Sequence, residues 1–181
     1  MDRRVFFRGT MLAGLLAGLG LVPAEATPGS DCEKLIADNS IRAKKAEMAE
    51  KAGLFRRLIK KYGDGVIHDV RQYVEETTCE KVRKASIPKR DLAAIRKEIW
   101  ESMGKEIEYA FVEHTDKRLR VRVTRCLYAE KMREHGEAAL GHAFYCAWDD
   151  GFCRGFHPGL KFTRTRTLMA GDDHCDHTYE L

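Results

Sequence analysis

The spacing of apolar residues changes period near residue 105, and that change limits the chain to an α+β fold. Before it, Leu35, Ile36, Ile41, Met48, Leu54, Phe55, Leu58 and Ile59 recur at helical spacing over Asp31 to Tyr62. Asp31 is placed to cap that helix and Gly63-Asp64-Gly65 to break it. Val66, Val70, Tyr73, Val74 and Thr77 predict a second helix ending before Ser86. Pro88 is expected to start a third, with Leu92, Ile95, Ile99 and Met103 on one face and Gly104 beyond its end.

After the change, Ile107, Tyr109 and Phe111 alternate with polar or small residues. A turn at Thr115-Asp116-Lys117 leads to Leu119, Val121 and Val123, which alternate with Arg118, Arg120 and Arg122. This is a hairpin with one apolar and one basic face. Tyr128 to about Asp150 is expected to be helical, with Met132, Leu140, Ala143 and Phe144 buried, and Gly151 to Gly159 a loop. Leu160 to Met169 and His174 to Leu181 are expected to form a second hairpin around Ala170-Gly171-Asp172-Asp173. The predicted architecture is N-terminal helices followed by a four-stranded antiparallel sheet whose two hairpins flank one helix. It forms a single domain over 27–181, helical over 27–105 and sheet-plus-helix over 106–181.

The first residues read as an address. Arg3-Arg4 precedes an apolar stretch from Gly9 to Val22, and Pro23-Ala24-Glu25-Ala26 supplies small residues for cleavage. The order matches a twin-arginine export signal cut after Ala26, which implies the export machinery as a partner and a periplasmic or otherwise exported location. Beyond the signal no apolar run is long enough to span a bilayer, so no stable membrane span is expected after cleavage. With 181 residues, 44% hydrophobic, the chain is too apolar to be disordered. The 32 basic and 28 acidic residues nearly balance, and no nucleic-acid-binding motif is present, so nucleic acid is not an expected partner. Six cysteines lie after the signal. An oxidising compartment permits pairing, and Cys32 with Cys79, both in the helical half, is the pair favoured.

Alternation of strand faces places Leu160, Phe162, Arg164, Arg166 and Leu168 together, and Cys175, His177, Tyr179 and Leu181 together. If the apolar members mark the inner face, two arginines, a thiol and an imidazole point inward. Buried arginines need an anionic partner, either a structural carboxylate or that of a substrate. The opposite face, Thr163, Thr165, Thr167 and Met169, could point inward instead, since a one-residue bulge exchanges the two. On the preceding helix, His142, Cys146, Asp149 and Cys153 follow one stripe, so a thiol and a carboxylate could act together. His142, His177 and Arg164 are the groups able to lower a thiol's pKa. Cys146, Cys175, His142 and His177 could bind zinc, but no CxxC or HExxH spacing supports it, and no cofactor is expected.

Several spaced segments resemble the L-2-amino-thiazoline-4-carboxylic acid hydrolase family. They are Val123-Thr-Arg-Cys126-Leu-Tyr128, Cys146-Ala-Trp-Asp149, Pro158-Gly-Leu160, Arg164-Thr-Arg-Thr167-Leu168, Gly171-Asp172 and Cys175-Asp176. The resemblance lies in the C-terminal third and implies a hydrolase opening a cyclic isothiourea to an N-carbamoyl amino acid. On that reading Arg164 holds a substrate carboxylate, Asp149 is the general base, and Cys146 or Cys175 is a nucleophile or shapes the pocket. Arg166, Thr167 and His177 support substrate binding. The alternative is an exported small-molecule- or metal-binding module of the same fold, loosely similar at Gly171-Asp172 to Cys175 to sensing domains of the four-vinyl-reductase type. A third reading is a purely structural exported domain.

Overall fold

The computed structural model describes residues 31–181, with side chains from Ile36 onward. The expected export signal and its cut after Ala26 lie outside the described residues. Two helices open the described chain, α1 (Asp31–Tyr62) and α2 (Gly65–Lys84). The amide of Gly63, at φ 84, donates to the Ile59 carbonyl at 2.7 Å and closes α1. α3 (Leu92–Glu98) begins later than expected. Its start is set by Asp91, whose carboxylate accepts the Ala94 amide at 2.8 Å, and not by Pro88. It ends in a 3-10 turn, Trp100–Ser102.

Strands β1 (Ile107–His114) and β2 (Arg118–Cys126) pair as the alternation predicts, with Leu119, Val121 and Val123 buried. Four antiparallel strands form one sheet in the order β1-β2-β4-β3, where β3 is Lys161–Thr163 and β4 is Cys175–Glu180. The fold is therefore α+β, as the periodicity indicates.

Three local expectations are corrected. The single helix over 128–150 is instead α4 (Leu127–Glu134), a short α5 (Ala138–Gly141) and a π-helical turn, His142–Cys146. The break falls at Gly136, whose φ of 73 disfavours any residue with a Cβ, while the Glu137 amide reaches back to the Met132 carbonyl. In the π turn the Ala147 amide donates to the His142 carbonyl, five residues back.

The expected loop 151–159 is mostly helix, α6 (Ala147–Phe156). Its glycines do not break it, because they are where α6 touches α2. A Cβ on Gly151 would stand 2.5 Å from the Glu75 carbonyl oxygen, and one on Gly155 2.5 Å from that of Cys79. The second hairpin keeps only three residues of its first strand. Beyond Thr163 the Asp176 carboxylate takes over, accepting the amides of Thr165 at 2.8 Å and Arg166 at 2.6 Å. Asp172 likewise accepts the Thr167 amide at 2.7 Å.

One apolar core fills the space between the inner sheet face and helices α3 and α6. Leu92, Ile95, Trp100, Leu119, Val121, Phe152, Phe156 and Tyr179 lie in it. A second joins Met48 and Ala52 of α1 to Leu127, Met132, Leu140 and Met169. Each such large side chain contributes roughly 1.5–3 kcal/mol by leaving water. Arg90 ties the helix ends together: its guanidinium donates to the carbonyls of Val82 and Arg83 in the last turn of α2, of Ala85 just beyond it, and of Gly155 and Phe156 at the end of α6. Cys79 is a buried free thiol, and the side chain of Cys32, its favoured partner, lies outside those described.

Candidate functional site

The strongest polar cluster sits where α6 crosses the inner face of β4. α6 projects Asp149, β4 projects His177, and the segment leaving β3 projects Arg164. Pairing of Thr163 with Thr178 sets the register that brings Arg164 beside His177. Arg164 Nη1 donates to Asp149 Oδ2 and lies 3.4 Å from His177 Nε2. Its Nη2 donates to the Cys146 carbonyl at 3.3 Å, at the end of the π turn. His177 Nε2 is 3.5 Å from Asp149 Oδ2. The side chains of Arg164 and His177 are each 7% exposed and that of Asp149 18%.

Burial pushes the Asp149 carboxyl up, but His177 and Arg164 outweigh it and hold the pKa below the usual 3.8. Asp149 is therefore an anion at neutral pH. The neighbouring thiols shift the other way. Burial pushes Cys146 up to about 12, with Arg164 opposing and Asp149 adding to the effect. Burial similarly takes Cys126 to about 11 and raises Cys153 and Cys175. On the outer side stand His142, its pKa lowered by burial and by Arg164, and Asp150, which accepts from Arg71 at 3.2 Å.

Of the residues singled out in the sequence, Asp149, Arg164, His177 and the Cys146 backbone come together. Cys175 lies two residues along the same buried face from His177. Its sulfur accepts the Leu168 amide at 3.3 Å and lies 3.7 Å from the Thr167 hydroxyl, so Thr167 packs behind the thiol. Arg166 is not brought in. Its side chain is 57% exposed and pairs with Asp173 at 3.2 Å, because the irregular backbone after Thr163 no longer alternates like a strand. The inward set is thus Arg164, Cys175 and His177, without Arg166.

The four residues considered for zinc do not converge: among the described residues no three His, Cys, Asp or Glu side chains are grouped to hold a metal. Two surface depressions lie elsewhere. One, of about 180 Å³, is lined by His68, Arg71, Gln72, Glu75, Glu76 and Arg154. The other, of about 500 Å³, runs along Lys117, Arg118, Lys161 and Glu180.

Sequence reasoning passed over Trp100 and Tyr179 as functional residues. Tyr179 shares the inner face with Cys175 and His177, and its hydroxyl is influenced by Asp149 and Arg164. That shared face was the available signal. Trp100 had none, since it comes from the 3-10 turn after α3, remote in sequence.

An α+β fold that buries an arginine, a carboxylate and an imidazole together beside several thiols holds groups able to exchange protons. The sequence profile of the L-2-amino-thiazoline-4-carboxylic acid hydrolase family matches residues 32–179. The chain belongs to this family, and the match takes in the N-terminal helices as well as the C-terminal third where the resemblance was noted. Neither a curated protein nor a solved structure matches the chain.

Proposed function

We propose that the chain is a hydrolase that opens the ring of a small cyclic isothiourea or amidine carrying a carboxylate, and that it acts after export through the twin-arginine route. Membership of the family supports the hydrolase class. The observation that carries the finer reading is the buried Arg164–Asp149–His177 cluster. A guanidinium sealed from solvent and already seated on a carboxylate is suited to accept a second one. In this reading a substrate carboxylate shares or displaces the contact between Arg164 and Asp149.

The ring carbon between nitrogen and sulfur is the electrophile. Water adds there, the carbon–sulfur bond breaks, and the sulfur leaves as a thiol, giving an N-carbamoyl amino acid. Cys146 and Cys175 are held as neutral thiols by burial, which favours direct attack by water over a covalent thiol adduct. They then line the site, with Thr167 behind Cys175. Asp149 is the fixed anion of the pair it makes with His177.

The test is a mass-spectrometric assay. Protein from Thr27 onward, kept reduced, is incubated with L-2-amino-thiazoline-4-carboxylate. N-carbamoyl-L-cysteine is expected, and its loss in Arg164→Ala. Folded wild-type protein yielding no product would remove this substrate. An intact binding response without turnover would favour the ligand-binding alternative.

A further inference from the structure

Three polar atoms stand out inside the sheet-facing core. Among the described residues, Trp100 Nε1, His177 Nδ1 and the Tyr179 hydroxyl are buried without a hydrogen-bond partner. The three residues are 3%, 6% and 1% exposed. Their rings form one cluster: Trp100 lies 5.0 Å from His177 and 6.5 Å from Tyr179, and Phe162 lies 5.8 Å and 5.1 Å from the same two. The indole lies near the Tyr179 oxygen without completing a hydrogen bond to it, and burial pushes the pKa of that hydroxyl well up, so it stays protonated. The neighbouring Tyr109 hydroxyl, by contrast, donates to the Trp100 carbonyl at 2.6 Å.

Leaving one buried polar group unsatisfied costs about 1–3 kcal/mol, and folded interiors hold few of them. Three on neighbouring rings point to one shared partner. Its chemistry follows from the atoms. The indole can only donate. His177 Nε2 faces both the Asp149 carboxylate, at 3.5 Å, and the Arg164 guanidinium, at 3.4 Å; a proton on Nε2 shared with Asp149 leaves Nδ1 an acceptor. The partner must therefore accept from Trp100 and donate to His177. Water does both, whereas a carboxylate cannot donate.

We propose that Trp100, His177 and Tyr179 form the water-activating pole of the hydrolytic site. Trp100 and Tyr179 cradle the attacking water, and His177 Nδ1 takes its proton. The inference rests on the hydrolase reading above. As the water oxygen bonds to the ring carbon of the protonated amidine, its proton passes to Nδ1 and the C=N electron pair moves to nitrogen. The adduct is neutral, and Asp149 stabilises the imidazolium. When the C–S bond breaks, its electron pair goes to sulfur, which takes the imidazolium proton. His177 then accepts the hydroxyl proton as the carbonyl forms, and that proton, equal to the one the amidinium brought, passes to solvent.

The experiment has two arms on the full chain. The first is ¹⁵N NMR of the histidine rings in wild type, Tyr179→Phe and Trp100→Phe. His177 is expected as the Nε2–H tautomer, with its Nδ1 resonance moved by either substitution while far-ultraviolet circular dichroism and cooperative urea unfolding are retained. The second is turnover of L-2-amino-thiazoline-4-carboxylate. Loss of one cradling donor is expected to lower kcat about tenfold, and His177→Gln about 100-fold or more, with KM within about twofold. An Nδ1–H tautomer, or an Nδ1 resonance indifferent to both substitutions, overturns the cradle. Folded variants with wild-type kcat overturn its catalytic role. Wild-type protein that shows the NMR response but does not turn over this compound removes it as the substrate and leaves the cradle itself intact.

Discussion

Arg164 and Asp149 form an ion pair inside the domain, with the guanidinium side chain 7% exposed and the carboxylate 18%. Removing one partner of such a pair strands the other. Asp149→Ala is expected to cost about 3–5 kcal/mol in urea unfolding. Replacing both residues with apolar ones of similar size is expected to cost less than the single change. If the single change shifts the midpoint no more than a surface alanine does, the pair carries no such weight.

The same pair has a signature in acid. The folded pKa of Asp149 is below the usual 3.8, so its contribution is complete above that value and is lost as pH falls through the folded pKa. The Asp149 contribution should therefore hold level from neutral pH to about 5 and decline in more acidic solution, on top of a loss that begins below about 6.5, where His142, whose folded pKa is lowered, protonates in the unfolded chain. Asp173 and Asp176 are shifted the same way and share in the decline. In Asp149→Asn the decline should be shallower, and an unchanged slope would contradict the assignment.

The buried thiols give a chemical prediction. With Cys146 pushed up to about 12 and Cys126 to about 11, almost no thiolate is present at pH 7 to 8. Iodoacetamide should label these two far more slowly in folded protein than in urea, as peptide mass spectrometry would show. Rapid labelling of folded Cys146 would return it to consideration as a nucleophile.

Contact between α2 and α6 can be probed at its closest points. Gly151→Ala and Gly155→Ala each push a methyl to 2.5 Å from a backbone oxygen of α2. Each is expected to destabilise by about 1–3 kcal/mol, read as a lowered Tm. Because α6 carries Asp149, turnover should fall as well. Arg90→Lys tests the same junction from its end. One ammonium cannot reach the five carbonyls that the guanidinium serves, and a loss of about 2–3 kcal/mol is expected.

Where the sequence was legible, burial on one side imposed a regular period. Leu119, Val121 and Val123 had to face one way, and β2 follows. The site was half legible for the same reason. Cys175, His177 and Tyr179 alternate along a true strand, and all three are buried. Arg166 misled because Asp176 replaces a strand ladder with side-chain-to-backbone bonds, and a period of two has no meaning there. Gly151 and Gly155 misled because glycine serves equally to break a helix and to let one helix lie against another. Trp100 reaches the cluster only through tertiary packing, which no local pattern encodes.

The pairing of β2 with β4 has a kinetic consequence. Arg118 meets Glu180 and Val123 meets Cys175, so the central seam of the sheet joins segments separated by all of α4, α5, α6 and β3. Closing so wide a loop is slow, and little is gained until the intervening helices have docked. Arg164 and His177 meet through the β3–β4 pairing, but Trp100, from the turn before β1, reaches His177 and Tyr179 only across that seam. A partly folded chain can hold its helices and the β1–β2 hairpin and still have no acid–base centre. Recovery of activity on refolding should therefore lag behind recovery of helical signal, and the delay between them times the zipping of the seam.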